Sequence, residues 1–580
     1  MMTRGPEKPG NGAHAAGSAE VAYANGNALR RAGRLPEAIA AYRQALAIKP
    51  DYPAAMVNLA SALHLARQLE EAVELNLRAL ALRPGHAGTH NNLGLVLHDR
   101  GELDQALGHL SRAVALAPGV GDFHNNLGLA LKTVNQLDAA MAAFAGAIRL
   151  SPDNPRAYSN FILAAHYNPA YQPADVLAAA RQFDDRFVKP LASARDPYGN
   201  DRSPDRPLRI GFVSADFSSH AVGRCLLPLL LAIDRSQVRV YLYSNMQLAD
   251  ALTEAVRARA DAWRDITTLD DDVAALLVRA DGIDILIDLS LHTADNRLLL
   301  FARKPAPVQV SYLGYVGTSG VSTIDYRLSD PQLDPPGADV SVYSEQTVRL
   351  ARSYWCFHPV GLFPEVGPLP AQSGGGVTFG CLNNFCKVSS AALQLWAQVL
   401  GAVPGSNLLL HAPAGVDVAA VRKRFEVADV DGERVQFVGQ QGWQAYLETY
   451  NRIDIALDPF PYNGGVTTAD GLWMGVPAVT LLGQNAVGRA GSSILTNANL
   501  PELIADSPQA YVRLAAALAA DLTQLAALRS GLRSRMTVSP LMNAPRFARD
   551  FEAALRQMWR DWCRGGDGGG GGNDGGAGGR

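Results

Sequence analysis

Four short stretches of this sequence carry side chains that can move protons or hold an anion, each beside residues that let backbone come close. The richest is 453–482, IDIALDPFPYNGGVTTADGLWMGVPAVTLL. It opens on a short apolar run that suits a buried strand. Pro459, Pro461, Gly464 and Gly465 then stop the strand. Val466, Thr467, Thr468, Asp470, Leu472 and Trp473 read as the start of a helix with hydroxyl and carboxylate groups at its mouth. Strand, glycine turn and helix N-terminus present free backbone N–H groups and a positive dipole end to an anion, a phosphate above all. The competing reading is the ordinary strand-to-helix turn of any α/β protein.

The other three stretches also follow apolar runs. DFSSH, 216–220, offers Asp216 and His220 as an acid–base pair or as an oriented donor to an anion. A helix cap made by Asp216 or Ser219 is the alternative. LNNFCK, 382–387, brings Lys387, whose ammonium suits a developing negative charge; a lone lysine is more often a solvated surface residue. LGYVGTSG, 313–320, is a glycine-rich loop that lets backbone approach a ligand, or simply a turn.

The elements that must position these groups follow from the hydrophobic pattern. Apolar runs at 209–214, 238–243, 283–289 and 308–312 read as strands, with a helical pattern at 271–279 between two of them. A second set lies at 377–381, 407–410, 435–438, 453–457 and 478–482. Strands alternating with helices predict two doubly wound parallel sheets, each holding ligands at the carboxyl ends of its strands. The predicted divisions are residues 207–372 and 373–564, and an amphipathic helix at 544–562 is expected to pack across both lobes.

Ahead of these lobes, residues 19–165 repeat with a period of 34: Pro50, Pro84, Pro118 and Pro152, and likewise Ala38, Ala72, Ala106 and Ala140. That period, with a small residue in the second helix and a closing proline, is the tetratricopeptide pattern of stacked helix pairs. Asn58, Asn92, Asn126 and Asn160 keep the same spacing and form a ladder of amides on one face. They either clamp the backbone of an extended peptide or satisfy groups between repeats. His90 and His124, two residues before Asn92 and Asn126, read as packing residues. Residues 166–206 are a capping helix and linker, and 1–18 and 565–580 have the composition of disordered ends.

Taken together and in this order, the repeats, DFSSH, LGYVGTSG, LNNFCK and NGGVTTAD resemble the protein O-linked N-acetylglucosamine transferases and their SPINDLY relatives, glycosyltransferase family 41. The resemblance implies a GT-B arrangement, with two Rossmann-like lobes following a tetratricopeptide superhelix. It implies an inverting, metal-independent enzyme that moves N-acetylglucosamine from UDP-GlcNAc to Ser or Thr hydroxyls of polypeptides. The similar family positions make His220, Lys387 and Asp216 catalytic candidates. Leu313, Gly314, Asn384, Lys387, Tyr446, Gly465, Val466, Thr467, Thr468 and Asp470 become the nucleotide-sugar site, and the asparagine ladder becomes the peptide site. Val466 replaces a threonine more usual in the family, and Val316 a proline. SPINDLY relatives use GDP-fucose, so an O-fucosyltransferase is the second reading; a repeat scaffold without catalysis is the third.

Composition bounds the rest. A chain of 580 residues with 48% hydrophobic and 18% charged residues suits several globular domains. A net charge of -3 gives no electrostatic reason to expect nucleic acid. Five scattered cysteines lack metal-ligand spacing and read as reduced thiols. No cofactor or metal is expected beyond the donor substrate. The first residues lack a signal-type apolar region and no apolar run reaches membrane-spanning length, so a cytoplasmic protein with no membrane partner is expected.

Overall fold

The computed structural model describes residues 11–192 and 197–565. Residues 1–10 and 566–580, expected to be disordered, lie outside the described residues. The first helix, Asn11–Arg31, starts inside the N-terminal segment read as disordered and so corrects that expectation for 11–18. The described chain divides into two compact units. One runs to Ala157 and takes in Ala412–Asp417 and Val438–Gln440; the other holds Tyr158 onward.

The first unit is a run of antiparallel helix pairs. Leu35–Ile48, Leu69–Leu82, Leu103–Leu116 and Leu137–Leu150 are the second helices of successive pairs, and each stops two residues before one of the periodic prolines. Ala38, Ala72, Ala106 and Ala140 are all 0% exposed, which fixes the need for a small side chain there. Gly94 and Gly128 sit where the two helices of a pair press together. A Cβ on Gly94 would lie 2.6 Å from Leu110 Cγ, and one on Gly128 2.6 Å from Phe144 Cε1.

The second unit contains two parallel sheets. In the first lobe the strands are β1 (Leu208–Ser214), β2 (Val238–Ser244), β3 (Ala262–Asp265), β4 (Ile285–Asp288), β5 (Val308–Ser311), β6 (Tyr326–Ser329) and β7 (Gln346–Arg349). Their order is β3-β2-β1-β4-β5-β6-β7. In the second lobe they are β8 (Thr378–Cys381), β9 (Asn407–His411), β10 (Val435–Val438), β11 (Ile455–Leu457), β12 (Ala478–Leu481) and β13 (Ile504–Ala505), ordered β10-β9-β8-β11-β12-β13. Both orders reverse beside their first strand, between β1 and β4 and between β8 and β11. That reversal opens a crevice at the strands' carboxyl ends.

Four strands escaped the apolar pattern. β3 and β7 are partly exposed edges, β13 has two residues, and β6 buries a charge. Arg327 in β6 is 1% exposed; it pairs with Asp334 at 2.8 Å and lies 3.7 Å over the Tyr343 ring. The last helix, Ala544–Arg564, packs on the first lobe, and its apolar side chains share one core cluster with residues of both lobes. Phe551 stacks on Phe212 of β1, Glu552 accepts from the Asp234 N–H, and Trp559 Nε1 donates to the Ser203 carbonyl. Among the described residues no single helix is long and apolar enough to cross a membrane.

Candidate functional site

At the end of β11 the chain turns around one buried carboxylate. Asp458 accepts hydrogen bonds from Gly464 N (2.9 Å), Thr468 Oγ1 (3.2 Å) and Thr480 Oγ1 (2.7 Å), tying the turn to the next helix and to β12. Burial pushes its pKa up to about 6 against these bonds. Gly464 is obligatory: a Cβ there would stand 2.1 Å from Thr468 Oγ1 and 2.7 Å from Asp458 Oδ1. Gly465 then caps the helix Val466–Trp473, whose leading N–H groups have no intrahelical acceptor. Val466 is buried in the apolar core, so its backbone N–H is what it can offer a ligand. Thr468 is committed to Asp458, while Thr467 is partly exposed at the helix mouth.

Lys387 closes the short 3-10 turn Phe385–Lys387 after β8. Its Nζ donates to the Asn463 carbonyl at 3.1 Å and sits 4.4 Å over the Tyr462 ring. Those two contacts hold the ammonium against the turn that enters the helix Val466–Trp473. Desolvation lowers its pKa, with Cys386 and Asp458 opposing the shift. Asn384, by contrast, is exposed and its side chain caps its own turn, accepting from Cys386 N at 3.4 Å.

The first lobe presents a second helix mouth. His220, rather than Asp216 or Ser219, caps Ala221–Ala232: its Nδ1 accepts from Val222 N at 3.4 Å and lies 3.6 Å from Asp216 Oδ1. The imidazole is half-exposed. Burial raises the pKa of Asp216 while His220 holds it down. Gly223 lets the helix press on the DFSSH loop, since a Cβ would lie 2.2 Å from the Ser218 carbonyl oxygen.

One helical turn beyond His220, Arg224 joins the lobes. Its guanidinium holds the Asp470 carboxylate by two hydrogen bonds, the longer of them 3.0 Å (Nη1 to Oδ2), and lies 4.5 Å over the Trp443 ring. Trp443 stacks on Tyr446 at 5.5 Å, and the Tyr446 hydroxyl reaches Tyr450 (2.9 Å) and Asp470 (3.5 Å). Desolvation raises the Asp470 pKa against the pull of Arg224. The sequence placed Tyr446 and Asp470 in one site, and here they touch. It missed Arg224, although a lone charge in the apolar helix AVGRCLLPLLLA was a readable signal.

LGYVGTSG follows β5. Leu313 has φ +72°, a conformation unusual for a branched side chain, and its N–H donates to the Tyr354 hydroxyl at 2.5 Å. Its side chain and that of Val316 are buried, so backbone is what this loop can show a ligand. Gly314 is packed against the Ser290 backbone, 2.7 Å from where a Cβ would be.

In the repeats, the asparagine ladder is partly exposed but its amides also bridge neighbouring pairs. Asn58 Nδ2 donates to Tyr23 Oη (3.0 Å) and Asn27 Oδ1 (2.8 Å), and Asn126 Nδ2 donates to Asn91 Oδ1 (2.9 Å). Asn92 lies on the same face; Asn160 falls in the second unit. His90 and His124 are structural, with Nε2 of each bonded to the carbonyl of Pro84 or Pro118.

Comparison with known proteins gives one consistent result. Residues 190–366 and 369–551 match the family model of glycosyl transferase family 41, and 26–66 and 91–155 match tetratricopeptide repeat models. The chain is 39% identical over 426 residues to a protein of Oryza sativa subsp. japonica named "Probable UDP-N-acetylglucosamine--peptide N-acetylglucosaminyltransferase SPINDLY", with 71% of this chain and 45% of the relative covered. The Arabidopsis thaliana protein of that name is 38% identical over 426 residues, 71% of this chain and 46% of its own. The chain thus spans about half the length of the curated relatives it matches. A solved mutant O-GlcNAc transferase from Thermobaculum terrenum superposes with a TM-score of 0.83 at 38% identity, covering 88% of this chain and 98% of its own.

Proposed function

Since the chain belongs to glycosyl transferase family 41, we propose that it moves N-acetylglucosamine from UDP-GlcNAc to Ser or Thr hydroxyls of polypeptides, with inversion. The observation that carries this is the ammonium of Lys387 held at the Asn463 carbonyl, three residues ahead of the helix that starts at Val466. A diphosphate at that helix mouth meets a fixed cation and a set of free N–H groups together, which is stabilisation built for a departing anion. Lys387 and the leading N–H groups of that helix would supply the positive charge that the departing diphosphate needs.

In the proposed step an acceptor hydroxyl oxygen attacks the anomeric carbon from the face opposite the diphosphate. The carbon–oxygen bond to the diphosphate breaks and its electron pair leaves with the phosphate oxygen, towards Lys387 and the helix at Thr467. The hydroxyl proton passes through water to Asp216, whose burial makes it a stronger base than an ordinary carboxylate, and His220 Nε2 contacts the sugar–phosphate linkage. Tyr446 and Asp470, braced by Arg224, take the nucleoside, and the Leu313–Gly314 backbone the sugar. The asparagine ladder takes the polypeptide.

Sequence identity does not separate the two donors, because a SPINDLY protein at 39% and the Thermobaculum terrenum O-GlcNAc transferase at 38% are equally similar to the chain, and the resemblance to SPINDLY keeps a second reading. The second reading is therefore fucosyl transfer from GDP-fucose. A nucleotide-sugar panel with mass readout on Ser/Thr acceptors tests both, and UDP or GDP identifies itself by raising the melting temperature. No turnover of any donor by well-folded protein leaves only a scaffold.

A further inference from the structure

We propose that the repeat unit contains a pocket selective for an acidic side chain, Asp or Glu, of the acceptor polypeptide; this rests on the polypeptide-acceptor reading above. A cavity of about 210 Å³ lies where the start of helix Pro53–Leu65, the end of Leu69–Leu82 and the start of Ala87–Asp99 meet. Tyr23, Val57 and Ala79 give it an apolar wall, while Asn58, Arg83 and His86 supply its polar groups. That volume suits one side chain with its methylenes.

Arg83 carries the one formal charge among the lining residues. No carboxylate lines the cavity, and Arg83 makes no ion pair among the described residues, whereas Arg43 and Arg67 of the same unit close on Glu71 and Asp99. His86 Nδ1 accepts from Thr89 N at 3.1 Å, so the neutral ring keeps its proton on Nε2 and adds a second donor. Asn58 spends Nδ2 on Tyr23 and Asn27, which leaves Oδ1 to accept a peptide N–H. An occupant must therefore bring an anion for Arg83 and His86, methylenes for the apolar wall, and a backbone N–H for Asn58. An acidic residue in an extended chain meets all three, whereas a lysine brings its charge against a guanidinium.

The test uses the full chain and short fluorescein-labelled Ala/Ser peptides that differ only in carrying central Glu, Gln or Lys, with affinity read by anisotropy. The Glu peptide is expected to bind about fivefold tighter than the Gln peptide, with the advantage shrinking as salt is added. Arg83→Ala should erase the preference and Arg83→Glu should turn it towards Lys. Arg83 is exposed at a helix end, so both variants should keep the wild-type far-ultraviolet dichroism. Equal affinity for Glu and Gln peptides, no binding of either, or a preference that survives Arg83→Ala overturns the pocket. Donor turnover on the same preparations keeps the two ideas apart: turnover without a Glu preference sinks the pocket alone. A Glu preference without turnover of any nucleotide sugar supports the pocket and sinks the enzyme reading.

Discussion

Replacing Arg224 by Met tests whether the two lobes are joined by a buried charge pair at the nucleotide site. The side chains of Arg224 and Asp470 are 7% and 2% exposed, so solvent screens the pair little. Removing the guanidinium leaves Asp470 buried with only the 3.5 Å hydroxyl of Tyr446 facing it. Breaking a buried pair from one side costs about 3–5 kcal/mol, which for a unit of this size lowers the melting temperature by about 5 °C. All seven tryptophans lie at Trp263 or beyond, so tryptophan fluorescence reports this unit without the repeats. The double variant Arg224→Met with Asp470→Leu, which leaves no orphan charge, should recover most of the loss. pH gives a second readout. Burial already raises the Asp470 pKa, and loss of Arg224 removes its main opposition. A carboxylate with a native pKa above its unfolded value binds more protons in the native state, so its contribution to stability falls as pH rises through that window. The deficit of Arg224→Met should therefore be largest near neutral pH and shrink on acidification. A loss under about 1 kcal/mol, or a deficit that does not depend on pH, would refute the reasoning.

Other outcomes are as specific. Lys387→Ala should lower transfer by about 10²–10³-fold while tryptophan emission and melting stay unchanged. Wild-type activity should lose its charged lysine at a pH below the ~10.4 of a free one, because burial lowers the Lys387 pKa; an alkaline limb at or above that value contradicts the assignment. Gly223→Ala puts a Cβ 2.2 Å from the Ser218 carbonyl and must displace DFSSH or its helix, so transfer should fall by about a hundredfold in steady-state assays with the repeats still folded. Asp458, at about 6, is raised above its unfolded value, so its contribution is full at low pH and is lost as pH rises through about 4 to 6. Urea midpoints of wild type and Asp458→Asn should therefore draw together across that window, and parallel curves would count against the buried carboxylate.

What the sequence determined by itself is the part written in short-range pattern. The 34-residue period located helix pairs and their ends, because a proline recurring just past the second helix of each pair cannot extend it and a crowded crossing admits only a small side chain. The alternation of apolar runs gave the two parallel sheets, and a strand, two glycines and a threonine pair gave a helix mouth suited to an anion, since each of these is a property of a few neighbouring residues. The edge strands β3 and β7 and the charge-bearing β6 were lost because partners elsewhere, such as Asp334 and Tyr343 around Arg327, offset what local composition disfavours. Only the tertiary structure decided who meets whom. Lys387 finds the Asn463 carbonyl 76 residues away, and Arg224 finds Asp470 across 246 residues. Asp458, which reads only as the polar end of a strand, becomes the hub of a turn because folding surrounds it with three donors. Periodicity fixes which side of an element is apolar, but a buried charge is stable only beside a partner, and that partner is chosen by the fold.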